Sequence, residues 1–239
     1  MTDLATQARD FAQTLALEAA EMIQQAAGQP QDVEFKSAGD WCSAWDRRIE
    51  EHLKARIAQK YPEHGFLGEE SAKSQVRDGL LWVIDPIDGS MNFLRGYPQY
   101  SVSIALLSDG EPMAACIVDP CRQEVFSAAL HQGATLNGKP LQVAGTDHLQ
   151  LAVAATVFPK PRAASLPEYL IQFDRAVSTV AGVRRSGSMA LELAYLAAGR
   201  VDVFWSHDMG SWDTDRKSNH MRTNMGQALG ITGLQAVPA

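Results

Sequence analysis

The chain has few cysteines, no surplus of positive charge and no long apolar run, and each shortage excludes a class of protein. Its 239 residues include 3 cysteines without metal-type spacing, so we expect reduced thiols rather than a disulfide framework. The net charge of −7 argues against a polyanion-binding surface, so no nucleic-acid partner is expected. No apolar run approaches the ~20 residues that span a bilayer, and no signal-peptide pattern opens the chain. These features predict a cytoplasmic protein without a membrane segment.

Apolar spacing predicts a chain in which helices and strands alternate. The first helix is predicted from six apolar residues on one helical face, namely Leu4, Ala8, Phe11, Leu15, Ala19 and Met22. Further helices are expected after Ser43, at 166–180 and at 188–198. Strands are expected at 81–84, 100–108, 113–118, 124–130 and 201–205, with turns at Asp109-Gly110 and Asn137-Gly138. The length fits one large α/β domain or two closely packed halves, which we place at 1–145 and 146–239.

The segment 81–93 carries the strongest functional signal. Four apolar residues predict a buried strand, after which the chain is expected to turn through Asp85, Pro86, Ile87, Asp88 and Gly89. Two carboxylates three residues apart at a strand end can direct their oxygens into one small volume, and Mg²⁺ binds through such ligands together with a substrate phosphate. Gly89 and Ser90 suit close contact with an anion. The alternative is an ordinary surface turn, in which proline presets φ and glycine relieves strain.

Three ordered segments resemble the signatures of the inositol monophosphatase family. They are Glu69, then Asp85-Pro-Ile-Asp88-Gly-Ser90, then Trp212-Asp213, and further matches lie at Lys36, 43–46, 133–140 and 185–188. The similarity extends from the first helix to Asp213. It implies a layered αβαβα sandwich of the sugar-phosphatase type, with the site between two αβ halves, and a homodimer.

The resemblance also implies a chemistry, which is hydrolysis of small phosphomonoesters by water activated on two or three Mg²⁺ ions per subunit. The implied metal ligands are Glu69, Asp85, the carbonyl of Ile87, Asp88 and Asp213. The implied catalytic residues are Glu69, Asp85 and Ser90, which stands where the family usually has threonine and would orient the attacking water. The implied substrate-binding residues are Asp88, Gly89, Ser90, Gly187, Ser188 and Ser206.

Lys36 and Asp46 are expected to contact the metal ligands and hold them in place without binding the metal themselves. For Asp46 a second interpretation remains, because Ser43-x-x-Asp46 also resembles a helix capping box with an acidic residue at its fourth position. The two roles are compatible. We expect Asp46 to support the site rather than to contact a metal directly.

Two departures from the family pattern affect function. Seven positions before the last aspartate, inositol-cleaving members carry an acidic residue that binds sugar hydroxyls. This chain has Ser206 at that position. The resemblance therefore does not identify inositol phosphate as the substrate. Asp208 can substitute only if its loop is rearranged. A polar segment follows Asp213 where the family has apolar helix residues. We therefore expect a shortened second half, a tail at 214–239 that is poorly ordered or packs unlike the family's ending, and a weaker second metal site.

Other functions within and beyond this chemistry stay open. The family includes bisphosphate nucleotidases and histidinol phosphatases, which only a substrate panel distinguishes from inositol monophosphatases. Some bacterial members join transcription complexes, so a regulatory binding protein with weak or no catalysis is the alternative of another class.

Overall fold

The computed structural model describes residues 2–28, 33–37, 40–71 and 79–207. Its helices are α1 (Thr2–Ala26), α2 (Ala44–Lys60), α3 (Ser90–Leu94), α4 (Leu166–Thr179) and α5 (Met189–Ala197). Its strands are β1 (Val33–Ser37), β2 (Asp40–Ser43), β3 (Gly65–Gly68), β4 (Leu80–Asp88), β5 (Ser101–Ser108), β6 (Glu111–Asp119), β7 (Glu124–Ala129), β8 (Gly133–Leu136), β9 (Lys139–Pro140), β10 (Val153–Val157), β11 (Gly182–Arg184) and β12 (Val203–Ser206).

A seven-stranded sheet in the order β3-β4-β5-β6-β7-β8-β9 forms the larger layer. Its strands from β4 onward pair antiparallel with their neighbours in sequence, whereas β3 lies parallel to β4. The predicted turns at Asp109-Gly110 and Asn137-Gly138 are confirmed. Both residues of each turn have positive φ, which is the geometry of a two-residue hairpin that matches strand twist.

Helices α1 and α2 cover one face of this sheet. The predicted helical face of α1 is confirmed for Ala8, Phe11 and Leu15, which are buried against the sheet. At its end Ile23 is fully buried and Met22 only partly, so the apolar face is displaced by one residue from the prediction. The alanines along this face let the helix axis approach the strands closely.

The opposite face packs on α5, and a second sheet lies beyond that helix. This sheet has the order β11-β10-β12, and its three strands are parallel. Ala155 of β10 joins the α5 core, whereas the next residue, Thr156, contacts Tyr169 of α4 on the other face. The layers are therefore helices, large sheet, α5, small sheet and α4, and the predicted αβαβα sandwich is confirmed.

The structure corrects the expected turn at Asp85. Strand β4 continues through Asp85, Pro86 and Ile87 to Asp88, and the break comes at Gly89. Pairing with β5 is irregular between Asp85 and Asp88, because proline has no N–H for the ladder. The expected strand at 201–205 lies at Val203–Ser206. The strands that were not predicted are β1, β2, β3, β8, β9, β10 and β11.

Other sequence expectations concern cysteines, membranes and domains. Cys42 and Cys116 are buried and Cys121 is exposed, and none of the three forms a disulfide. Within the described ranges, no helix combines the length and apolar character needed to cross a membrane. The division into halves at residue 145 stays a prediction.

Candidate active site

The parallel pairing of β3 with β4 places two carboxylates side by side. Gly68 is in register with Ile84, and the N–H of Glu69 donates to the Ile84 carbonyl at 3.1 Å. Glu69 and Asp85 therefore follow at the same height on strands that lie ~4.8 Å apart. Their carboxyl groups are in hydrogen-bonding contact. The carboxyl end of the strand pair thus concentrates acidic oxygen atoms.

The surroundings of Glu69 make its negative charge costly. Burial raises the pKa of Glu69 to about 7, and Glu70 and Asp88 add to this, although Lys36 lowers it. The Nζ of Lys36 lies 3.7 Å from Glu69 and also pairs with Glu70. Burial alone would lower the pKa of Lys36, but its contacts with these two carboxylates raise it. A cation bound here would stabilise the charged carboxylates.

Asp88 connects the large sheet to the N-terminus of α5. Its Oδ2 accepts hydrogen bonds from Ser188 Oγ at 2.5 Å and from the N–H of Ala190, in the first turn of α5, at 2.7 Å. Ser101 Oγ lies 3.4 Å away. A carboxylate at a helix N-terminus is favoured by the helix dipole. Asp88 and Ser188, two predicted site residues from distant parts of the sequence, are therefore in direct contact.

Ser90 and Asp46 form a second buried pair. Ser90 Oγ lies 2.6 Å from Asp46 Oδ1 and 2.9 Å from the carbonyl oxygen of Ile87. Asp46 Oδ2 accepts from the Ser43 N–H at 2.7 Å and from Ser43 Oγ at 2.6 Å, so the predicted capping box is present. The Asp46 carboxylate thus caps the N-terminus of α2 and also accepts the hydrogen bond from Ser90.

Gly89 lies where two loops approach each other. It has φ of 96°, and a Cβ added there would lie 3.1 Å from the Gln99 carbonyl oxygen and 3.2 Å from that of Gly187. A larger residue would separate these loops. The structure thus brings Gly89 and Gly187 together. Ser206 lies at the carboxyl end of β12, opposite Val157 of β10.

The donor set fits a hard divalent cation. Glu69 and Asp85 supply adjacent carboxylates, and Mg²⁺ prefers such oxygen ligands. Across the described ranges, no cluster of three or more His, Cys, Asp or Glu is arranged as a metal site. Asp88 is directed at the start of α5, and Asp213 lies outside the described residues, as do Asp208 and the tail at 214–239. Expectations about those residues stay predictions.

Three buried carboxylates close to the site were missed by sequence reasoning. Glu50 accepts the Glu70 N–H at 2.8 Å, and Glu192 accepts the Ser186 N–H at 3.0 Å. Glu70 binds Lys36. A signal for Glu50 was available, because Asp46 and Glu50 lie one turn apart on the apolar face of α2, where charged residues are rare.

Comparison with known proteins identifies the family to which the chain belongs. The model of the inositol monophosphatase family matches residues 5–214. The chain belongs to this family. The match ends beside Asp213, where the polar segment of the sequence begins.

Individual relatives agree with this membership. A Pseudomonas aeruginosa protein named Nus factor SuhB is 41% identical over 186 residues, which cover 76% of this chain and 69% of that protein. An inositol-1-monophosphatase of Rhizobium meliloti is 38% identical over 182 residues, covering 76% and 68%. The crystal structure of the extragenic suppressor protein suhB from Bartonella henselae has a TM-score of 0.82 and 33% identity, and the alignment covers 91% of this chain and 83% of that one.

Proposed function

We propose that this protein is a Mg²⁺-dependent phosphatase of small phosphomonoesters. The observation that carries the proposal is the contact between Glu69 and Asp85 at the end of two buried parallel strands, beside the Ser90–Asp46 pair. Family membership and the inositol-1-monophosphatase relative support a phosphatase.

In this proposal the carboxylates hold metal and the second sheet contacts substrate. The metal ligands are Glu69, Asp85, the Ile87 carbonyl, Asp88 and Asp213. Bound Mg²⁺ would activate water and stabilise the charge on the phosphate and on the leaving oxygen. Asp88 would have to share its carboxylate between this role and the start of α5.

Ser90 is proposed to orient the attacking water. A serine hydroxyl has one hydrogen, and Asp46 Oδ1, at 2.6 Å, is its nearest acceptor. With that hydrogen committed, Ser90 Oγ offers a lone pair to a hydrogen of the water. Asp46 is itself held by two hydrogen bonds from Ser43, so the direction of this lone pair is fixed by the start of α2.

The alcohol part of the substrate is proposed to lie towards Gly187, Ser188 and Ser206. Because Ser206 has no charge, we infer weak selection for a polyhydroxylated ring over other small alcohols. We further propose that the protein acts as a cytoplasmic homodimer.

A regulatory role is the second candidate, since the 41% identical Pseudomonas protein is named a Nus factor. The two functions make different demands on the site. Catalysis needs Glu69, Asp85 and the Ser90–Asp46 pair. These side chains are buried or partly buried, and each of the two pairs is in contact. This favours the enzyme.

Phosphate release with Mg²⁺ from a panel of inositol, sugar and nucleotide monophosphates tests the proposal. The enzyme should release phosphate without any partner protein, and a chelator should stop it. Mg²⁺ binding with no turnover of any substrate would favour the regulatory role instead.

A further inference from the structure

The apolar face of α2 carries two carboxylates one turn apart, Asp46 and Glu50. They are 1% and 4% exposed, and a buried charge is costly unless hydrogen bonds stabilise it. Asp46 is accounted for by Ser43 and Ser90. Glu50 is not used in the proposed reaction, so its burial needs another explanation.

The Glu50 carboxylate accepts one backbone hydrogen bond from the loop that carries Glu69. Its Oε2 lies 2.8 Å from the backbone nitrogen of Glu70. This bond joins the middle of α2 to the residue directly after Glu69. Removing the acceptor would leave the Glu70 N–H without it and free the loop to move.

The absence of a side chain at Gly68 leaves the space that the Glu50 carboxylate occupies. A Cβ added to Gly68 would lie 2.2 Å from both Cδ and Oε2 of Glu50, and 2.6 Å from Oε1. These distances are far below van der Waals contact, so any side chain at position 68 displaces Glu50. The last residue of β3 therefore has to be glycine for this hydrogen bond to form.

Glu69 is consequently held from both sides. Its own N–H is bonded to the Ile84 carbonyl in β4, and the next N–H is bonded to Glu50. The Glu70 side chain turns to Lys36, which also lies 3.7 Å from Glu69. The backbone around Glu69 is thus fixed before any cation arrives.

We propose that Glu50 is a positioning residue that fixes the backbone at Glu69 and Glu70, so that the Glu69 carboxylate is set beside Asp85 for the cation. The inference rests on the proposed function, because that function assigns the Glu69 and Asp85 carboxylates to cation binding. Glu50 acts through an acceptor oxygen aimed at one N–H. A neutral acceptor of the same shape should therefore suffice.

The test measures two properties of the full chain that do not depend on hydrolysis. One is affinity for Mg²⁺ by calorimetry, and the other is hydrogen exchange at the Glu70 amide. Glu50→Ala should weaken Mg²⁺ binding about 10- to 100-fold, as losing a partner behind a metal ligand typically does, and should speed exchange at Glu70. Glu50→Gln should stay within about threefold of the unmodified protein, because its amide oxygen accepts the same bond. Glu51→Ala, at an exposed position of the same helix, is the matched control.

Gly68→Ala supplies an independent test from the other side of the contact. Its methyl group should displace the carboxylate and reproduce the Glu50→Ala defects in Mg²⁺ affinity and exchange. The double variant combines Gly68→Ala with Glu50→Ala. Its methyl group meets no carboxylate, so Gly68→Ala should add little to the effect of Glu50→Ala. This non-additivity is the signature of one shared contact. If Glu50→Ala does not fold, Glu50→Met keeps the volume and loses the acceptor.

Several outcomes would overturn the inference. One is unchanged exchange at Glu70 in Glu50→Ala, and another is a loss of Mg²⁺ affinity in Glu50→Gln as large as in Glu50→Ala. Additive effects of the Gly68 and Glu50 changes would also contradict it. Failure of the proposed function looks different. There the unmodified protein releases no phosphate, while exchange at Glu70 still reports whether Glu50 fixes the loop.

Discussion

The large sheet and the small sheet hold their parts of the site in different ways. On the large-sheet side, Glu69 follows a paired strand and Ser90 is bonded to buried Asp46. On the small-sheet side, Ser206 ends a four-residue strand whose residues are all partly exposed. Burial and hydrogen bonding fix the first set, and they also fix Ser188 against Asp88, whereas Ser206 can change without disturbing a core. We infer that the large sheet carries the reaction and the small sheet selects the alcohol.

Asp85→Asn should have the largest effect, because it removes a negative charge from the pair that is proposed to hold the cation. We expect phosphate release to fall by at least about 10³-fold, while the fold survives because Asn is of equal size. Phosphate release and circular dichroism, measured together, check this. Asp109→Asn in an exposed hairpin turn is the control and should be as active as the unmodified protein. Undiminished hydrolysis by folded Asp85→Asn would refute the assignment.

Ser90→Ala should come next, with kcat reduced about 100-fold, because the water loses its orienting acceptor. Ser90→Thr keeps the hydroxyl and should keep most of the activity. Steady-state kinetics with one substrate distinguishes the two variants. Equal activity of Ser90→Ala and the unmodified protein would show that the Asp46–Ser90 pair serves only the fold.

Much of the large-sheet side could be predicted from sequence because local rules act there. The Asp109-Gly110 turn follows from hairpin geometry, and the Ser43–Asp46 capping box follows from spacing. The neighbourhood of Glu69 could not be predicted in this way. It depends on β3, a four-residue strand whose parallel partner begins 15 residues later in sequence, and on Glu50 reaching it from α2. Such contacts come from tertiary packing, which no local pattern encodes.

The small-sheet side of the site was harder to predict from sequence than the large-sheet side. The sequence indicated α5, but it did not indicate β10 or β11. Strand β10 lies in a short apolar run without the alternation of a half-buried strand, and β11 is only 3 residues long. The contact of Asp88 with the start of α5 joins residues about a hundred positions apart, at 88 and 190. Only the family resemblance pointed to Ser188 beforehand.

Ser206→Glu should shift specificity by a smaller amount. Restoring an acidic partner for ring hydroxyls should raise the ratio of kcat/KM for inositol phosphate to that for glycerol phosphate about tenfold. Ser178→Glu on the exposed side of α4 adds the same charge elsewhere and should leave the ratio unchanged. A strong preference for inositol phosphate in the unmodified protein would contradict our interpretation of position 206.

The smallest expected effect concerns stability alone and lies in the large-sheet layer. His64 Nδ1 accepts the indole N–H of Trp82 at 3.0 Å, and burial lowers the pKa of His64 below its ordinary 6.5. The unfolded chain then binds the extra proton more readily, so this contribution to stability is present above pH 6.5 and is lost as pH falls below it.

Thermal unfolding between pH 7.5 and 5 measures this effect. His64→Asn keeps an acceptor for Trp82 without titrating, so its melting temperature should fall less towards acid than that of the unmodified protein. His148→Asn, at an exposed position, should keep the original pH dependence. Parallel pH curves for His64→Asn and the unmodified protein would rule out this role for His64.

The central claim is that Glu69 and Asp85 together hold a divalent cation at the end of β3 and β4. Anomalous diffraction from a crystal grown with Mn²⁺ in place of Mg²⁺, and with phosphate, tests it most directly. We predict a peak within ~2.2 Å of a carboxylate oxygen of each residue, with phosphate density beside it and Ser90. Carboxyl groups of Glu69 and Asp85 that stay bonded to each other, with no anomalous peak between them, would contradict the claim.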